Sequence, residues 1–132
     1  MVVAIHPEQG PVMHYYLPQD IGLRWANAMG PVKDPQVFDW RNALDRLKDA
    51  RPTPTEDALV RTLKPGQKLL AIFPIIRSAR WGAPWTSEVR TRSAQWQLVV
   101  DRDKRLSRTL AEPVTEGKPV PKGVRAVLYE RR

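Results

Sequence analysis

The chain has 132 residues, enough for one domain with its own core and too few for two. It carries 22 Lys and Arg against 14 Asp and Glu, a formal charge of +8, and is 42% hydrophobic with no cysteine. These figures exclude a disulfide scaffold, a thiol catalyst, a cysteine-ligated metal and a disordered polyelectrolyte. Its 13 prolines are about twice the usual proportion.

The opening apolar run, residues 2–5, reads as a strand, drawn near 2–6 because His6 and Pro7 stop it. Residues 7–34 are irregular and rich in proline. A short helix over residues 18–29 would place Ile21, Trp25 and Ala28 or Met29 on one face, and residues 13–17 read as a strand or an extended arm. Asp34 followed by Pro35 is a helix start, since Asp caps well and Pro at the first helical position loses no needed hydrogen bond. Val37, Trp40, Leu44 and Leu47 then make one apolar stripe, predicting a helix near 35–49 that ends before Pro52. A second helix near 55–64 starts at Thr55 and turns Leu59, Val60 and Leu63 inward until Pro65 and Gly66 stop it.

Residues 68–76 (KLLAIFPII) are apolar on both alternating faces, the pattern of a central strand buried between layers, with Pro74 marking where ladder pairing stops. Residues 77–84 form a loop. A long helix follows near 85–110, with Trp85, Val89, Trp96, Val99 or Val100, Leu106 and Leu110 on one face and a charge run at 101–105 that could break it. Residues 124–129 close the sheet. Strand, helix and strand from residue 68 to 129 predict a parallel pair joined by a crossover. The expected fold is a single α/β domain of two or three layers with a short, mainly parallel sheet, or α+β if the first strand pairs antiparallel.

No nucleophile elbow, phosphate-binding glycine loop or dinucleotide fingerprint occurs, and no carboxylate pair stands out, so no catalytic residue is assigned and the chain alone is not expected to be an enzyme. His6 and His14 with Asp20 match no ligand spacing, so neither a metal nor a cofactor is expected. In α/β sheets ligands bind beyond the carboxyl ends of strands, which directs attention to the loop after the central strand. There Arg77 and Arg80 suit an anion, Trp81 and Trp85 a sugar ring or a lipid interface, and Thr86 offers a hydroxyl at a helix start. The bland reading of the same residues is a packed crossover loop with solvated arginines. A second set, Arg90, Arg92, Arg102, Arg105 and Arg108, would form a basic stripe against phosphate or anionic lipid if one helix carried them all, although no nucleic-acid motif accompanies it and a solvated helix face is the bland reading. No run approaches the length of a membrane span, and residues 1–5 lack the basic start of a signal peptide, so the chain as given reads as soluble.

KPGQKLLAIFP at 64–74, WGAPWT at 81–86, RSAQW at 92–96 and GVRAVLYER at 123–131 resemble the soluble C-terminal tail of actinobacterial multi-pass glycosyltransferase-like membrane proteins, the mannosyltransferase type that uses lipid-linked sugars. The resemblance spans about half the chain. It implies an extracytoplasmic accessory domain that contacts lipid-linked sugar, glycan or the membrane-embedded part of its parent. It carries over no catalytic residue, because the catalytic acid of such proteins lies in loops between spans. The abrupt strand at Val2 would then follow the last span closely. Two other readings stand beside it: a stand-alone basic protein that binds nucleic acid or another polyanion, and a small structural or assembly protein whose proline-rich first third meets partner subunits.

Overall fold

The computed structural model describes residues 1–75, 83–111 and 124–132. In chain order they form β1 (Val2–Ala4), α1 (Gln9–Tyr16), β2 (Trp25–Asn27), β3 (Gly30–Val32), α2 (Ala43–Asp49), α3 (Pro52–Arg61), β4 (Lys68–Pro74), α4 (Pro84–Arg102), β5 (Leu106–Ala111) and β6 (Val124–Arg131). The six strands make one sheet in the order β3-β2-β1-β4-β6-β5. The class is α/β, as the alternation of apolar strands and amphipathic helices predicts, but the sheet is mixed.

Only β2, β1 and β4 run parallel. β6 lies antiparallel to β4 along its whole length, Lys68 opposite Glu130 and Pro74 opposite Val124. This corrects the expected parallel pair. The reason is an extra strand: the helix expected over 85–110 ends at Arg102, and residues from Leu106 onward turn into β5, so the chain reverses once more before reaching β6. Asp103 ends the helix. Its carboxylate takes the backbone N–H of Arg105 at 2.8 Å, a local turn that competes with the next helical bond.

The premise of a central strand holds. β4 sits between β1 and β6, with Leu69, Ala71, Ile72 and Phe73 buried and Pro74 as its last residue. β1 is shorter than drawn, although Ile5 still bonds Ile72 O at 2.9 Å and is buried. One face of the sheet presents Val3, Ala26, Leu69, Ala71, Phe73, Val127 and Tyr129 to Leu47, Leu59, Val60, Leu63, Val89, Trp96 and Val100 of the helical layer. These side chains are the core, and α4 packs on both α2 and α3 there. α1 packs on β1 and β2, where the His14 ring lies 5.4 Å from Trp25.

Three further expectations change. No helix runs over 18–29: Trp25 enters β2, Asn27 closes a tight hairpin by accepting the Met29 N–H at 2.8 Å, and Ile21 is exposed. Residues 13–16 belong to α1, not to a strand or arm, since Pro11 falls in the first turn, where backbone N–H groups need no helical partner. The helix expected at 35–49 begins only at Ala43. Asp34 caps a single turn through the Gln36 N–H at 3.0 Å, and Asp39 makes another through Arg41. Val37 and Trp40 are therefore not on a buried stripe; they are 63% and 55% exposed. α3 starts three residues earlier than drawn, with Pro52 in its first turn, and buries Leu59 and Val60 as expected. Among the described residues no helix is long and apolar enough to cross a membrane.

Candidate functional site

The chain leaves β1 toward β2 on one side and leaves β4 toward β6 and β5 on the other. Adjacent parallel strands whose connections diverge leave a crevice at their carboxyl ends, the usual ligand position in such sheets. Here that rim gathers His6 and Glu8 after β1, Phe38 and Trp40 from the segment before α2, and Trp85 from the first turn of α4. Proline at the start of α4 places Trp85 one residue into the helix, where it packs partly buried against the core.

Glu8 ties the rim together. Its Oε1 accepts the Trp85 indole N–H at 2.7 Å and lies 3.4 Å from His6 Nε2. Burial holds the His6 imidazole below its ordinary value, against the opposing pull of Glu8, so the ring is neutral at neutral pH. With Nε2 facing the carboxylate, Nε2 carries the proton and the buried Nδ1 has no hydrogen-bond partner. The three aromatic rings form one cluster: Trp85 lies 5.3 Å from Trp40 and 5.9 Å from Phe38, and Phe38 meets Trp40 edge-on at 4.8 Å. Trp85 and Phe38 are partly buried, while Trp40 stands open to solvent. Such rings prefer edge and tilted geometries and supply apolar area with defined orientation.

Of the loop residues singled out in the sequence, Trp85 lies at this rim, Thr86 follows it in the first turn of α4, and Arg77, Arg80 and Trp81 fall outside the described residues. His6, Glu8, Phe38 and Trp40 were not foreseen as site residues. The available signal was His6-Pro7-Glu8 directly after a strand that begins the sheet. Nothing in the sequence marked Trp40, whose spacing fits a core stripe equally well. Among the described residues no group of three or more His, Asp or Glu is placed to hold a metal ion.

The five arginines of the proposed basic stripe do not share one face. Arg92 and Arg102 line a groove between α4 and the elbow joining α2 to α3. Arg90 lines a separate hollow with Arg125, Gln97 and Phe73. Arg108 is exposed on β5. Arg105 is consumed internally, 2.7 Å from Asp103, 2.8 Å from Asp57 and 3.6 Å from Glu56.

That last cluster contains the most perturbed carboxyl group of the chain's described part. Glu56 on α3 is 3% exposed. Burial, then a hydrogen bond to Asp103, pushes it up to about 8, so it is protonated at neutral pH and donates to Asp103. Burial works to raise Asp103 as well, but hydrogen bonds from Arg105 and Glu56 outweigh it and hold that carboxylate at about 2. The pair thus shares one proton beside one guanidinium, a latch from α3 to the turn that starts β5. A second latch joins α4 to β6, where the Tyr129 hydroxyl donates to Asp101 at 2.7 Å; burial and then Asp101 push the phenol well above its usual value.

No protein-family model, curated protein or solved structure matches the chain.

Proposed function

We propose that this chain is a carbohydrate-binding domain whose site is the carboxyl rim of β1 and β4. One observation carries the reading: Trp40, 55% exposed, stands against Trp85 and Phe38 at the crevice where a sheet of this kind places its ligands. A large exposed indole is costly to leave in water, and in a cluster it offers a flat apolar face to the C–H side of a sugar ring. Glu8, whose side chain is 40% exposed, adds a hydrogen-bond acceptor for hydroxyls beside that face. The combination of mostly apolar wall and few polar groups suits a sugar better than a compact anion. The resemblance of residues 64–131 to the tails of lipid-linked-sugar glycosyltransferase-like proteins supports a setting at the cell envelope, with glycan or lipid-linked sugar as the occupant and the membrane-embedded part of a parent protein alongside.

The test is a titration with short neutral glycans, α-mannobiose first, read by tryptophan fluorescence and by calorimetry. A blue shift with millimolar affinity is expected, and Trp40→Ala should weaken binding about tenfold, the equivalent of about 1.4 kcal/mol. No heat and no spectral change across the glycans, or equal binding by the Trp40→Ala protein, would refute the proposal.

A further inference from the structure

The groove on the helical face presents a different chemistry. It has a volume of about 800 Å³ and runs between α4 and the elbow of α2 and α3. Lys48, Arg51, Arg92 and Arg102 line it, and among the described residues no carboxylate does. We infer that this groove is a binding site for a phosphoryl group carried on a partly apolar ligand.

The cations are not equivalent. Arg92 is fixed: its Nε donates to Glu88 at 2.8 Å and its Nη2 to the Lys48 carbonyl at 2.7 Å, so its guanidinium is oriented before any ligand arrives. Lys48, Arg51 and Arg102 form no ion pair among the described residues. Three unneutralised cations around one concavity create a field that attracts anions, and guanidinium groups match phosphoryl oxygens two at a time. α3 begins in the same groove. Its first residues, Pro52, Thr53 and Pro54, line the wall, no side chain caps its start, and no acid occupies its first turn. The positive end of a ten-residue helix is thus left facing the cavity. Pro52, Pro54, Leu98 and Val99 supply the apolar part, with Leu98 53% exposed.

The neighbouring acids do not cancel this field. A second groove shares Thr53, Leu98, Val99 and Arg102 with the first and ends at Glu56, Asp57, Asp103 and Arg105. There Glu56 and Asp103 share a proton, Arg105 balances one carboxylate, and Arg61 pairs with Asp57 at 2.8 Å. That cluster is close to neutral as a whole, so the groove keeps its sign.

The experiment uses the full chain with two probes at low salt: inorganic pyrophosphate by calorimetry, and phosphatidylglycerol–phosphatidylcholine vesicles by sedimentation, with phosphatidylcholine alone as the blank. The Arg51→Gln/Arg102→Gln protein should lose about tenfold or more in affinity for whichever probe binds. Arg90→Gln/Arg108→Gln removes the same charge elsewhere and should bind as wild type. All four side chains are exposed and none makes a hydrogen bond that folding depends on. Pyrophosphate binding without vesicle binding identifies a soluble phosphate ligand. Vesicle binding that pyrophosphate does not displace identifies a lipid headgroup. Binding of neither probe, or an equal loss in both double variants, overturns the inference. A glycan that binds the β1/β4 rim should leave both readouts unchanged, so the two sites fail or succeed separately.

Discussion

Glu56→Gln should abolish a pH dependence of stability that the wild-type fold carries in its buried acid pair. In the folded chain Glu56 holds its proton up to about 8, against 4.5 in the unfolded chain. Between those values the folded state binds a proton that the unfolded state has released, so stability falls as pH rises. Each unit of that window is worth about 1.4 kcal/mol at full slope. Over three units, from about pH 5 to about pH 8, the wild type should lose about 2–4 kcal/mol from this source, the lower figure allowing for relief by Arg105. A Gln at the same place has the shape of the protonated acid, keeps a donor toward Asp103 and cannot ionise. Asp103 adds the opposite edge: held at about 2, it contributes stability above the ordinary Asp value that is lost as pH falls through 2. The assay is urea unfolding followed by far-UV circular dichroism at several pH values for both proteins. The half-buried His6 and the partly buried N-terminus, both lowered by desolvation, add stability that rises as pH rises. They are common to both proteins and cancel in the difference. That difference, variant minus wild type, should therefore climb steadily with pH. A difference that stays constant, or that climbs as pH falls, would refute the shared-proton account.

Asn27→Ala removes the acceptor of the Met29 N–H in the β2–β3 hairpin, and should cost about 1 kcal/mol in a urea midpoint measurement. Tyr129→Phe deletes the hydroxyl donated to Asp101 and should cost a similar amount, about 1 kcal/mol, with the wild-type m-value retained. Gly30 adopts φ +122° with open space where a Cβ would sit, so Gly30→Ala should cost about 1–3 kcal/mol through backbone strain alone; an unchanged melting temperature would contradict that.

The parts of the fold legible in the sequence were those where one local rule acted without a competitor. β4 was readable because residues 69–73 are apolar without a break up to Pro74, and no helical spacing fits them as well. α3 was readable because Leu59, Val60 and Leu63 follow a run of helix-starting residues and Pro65 excludes continuation. β5 was not readable. Leu106 and Leu110 are four apart, which satisfies a helix, and what decides against it is the carboxylate of Asp103 folding back onto the Arg105 N–H. The sheet's direction followed from that one turn: with β5 counted as helix, β6 had to be parallel, and with β5 as a strand it becomes antiparallel.

The same competition explains why Trp40 escaped notice as a site residue. Val37, Trp40, Leu44 and Leu47 have the spacing of a helix that buries all four, and only Leu47 is fully buried. Two aspartates intervene. Asp34 caps Gln36 and Asp39 caps Arg41, five residues apart, and Asn42 then takes the left-handed conformation at φ 49° before α2 begins. Each local hydrogen bond satisfies an N–H that a helix from residue 35 would otherwise have bonded or left free at its start. Arg41 reinforces the second turn by gripping the Asp39 carboxylate, which it holds well below the usual Asp range. A chain so pinned cannot rotate Trp40 toward the core. The indole is instead carried to the carboxyl rim, where Trp85 had already been placed by the helix after β4. The two indoles meet because two unrelated devices, an Asx turn and a proline-led helix start, deliver them to one edge of the sheet.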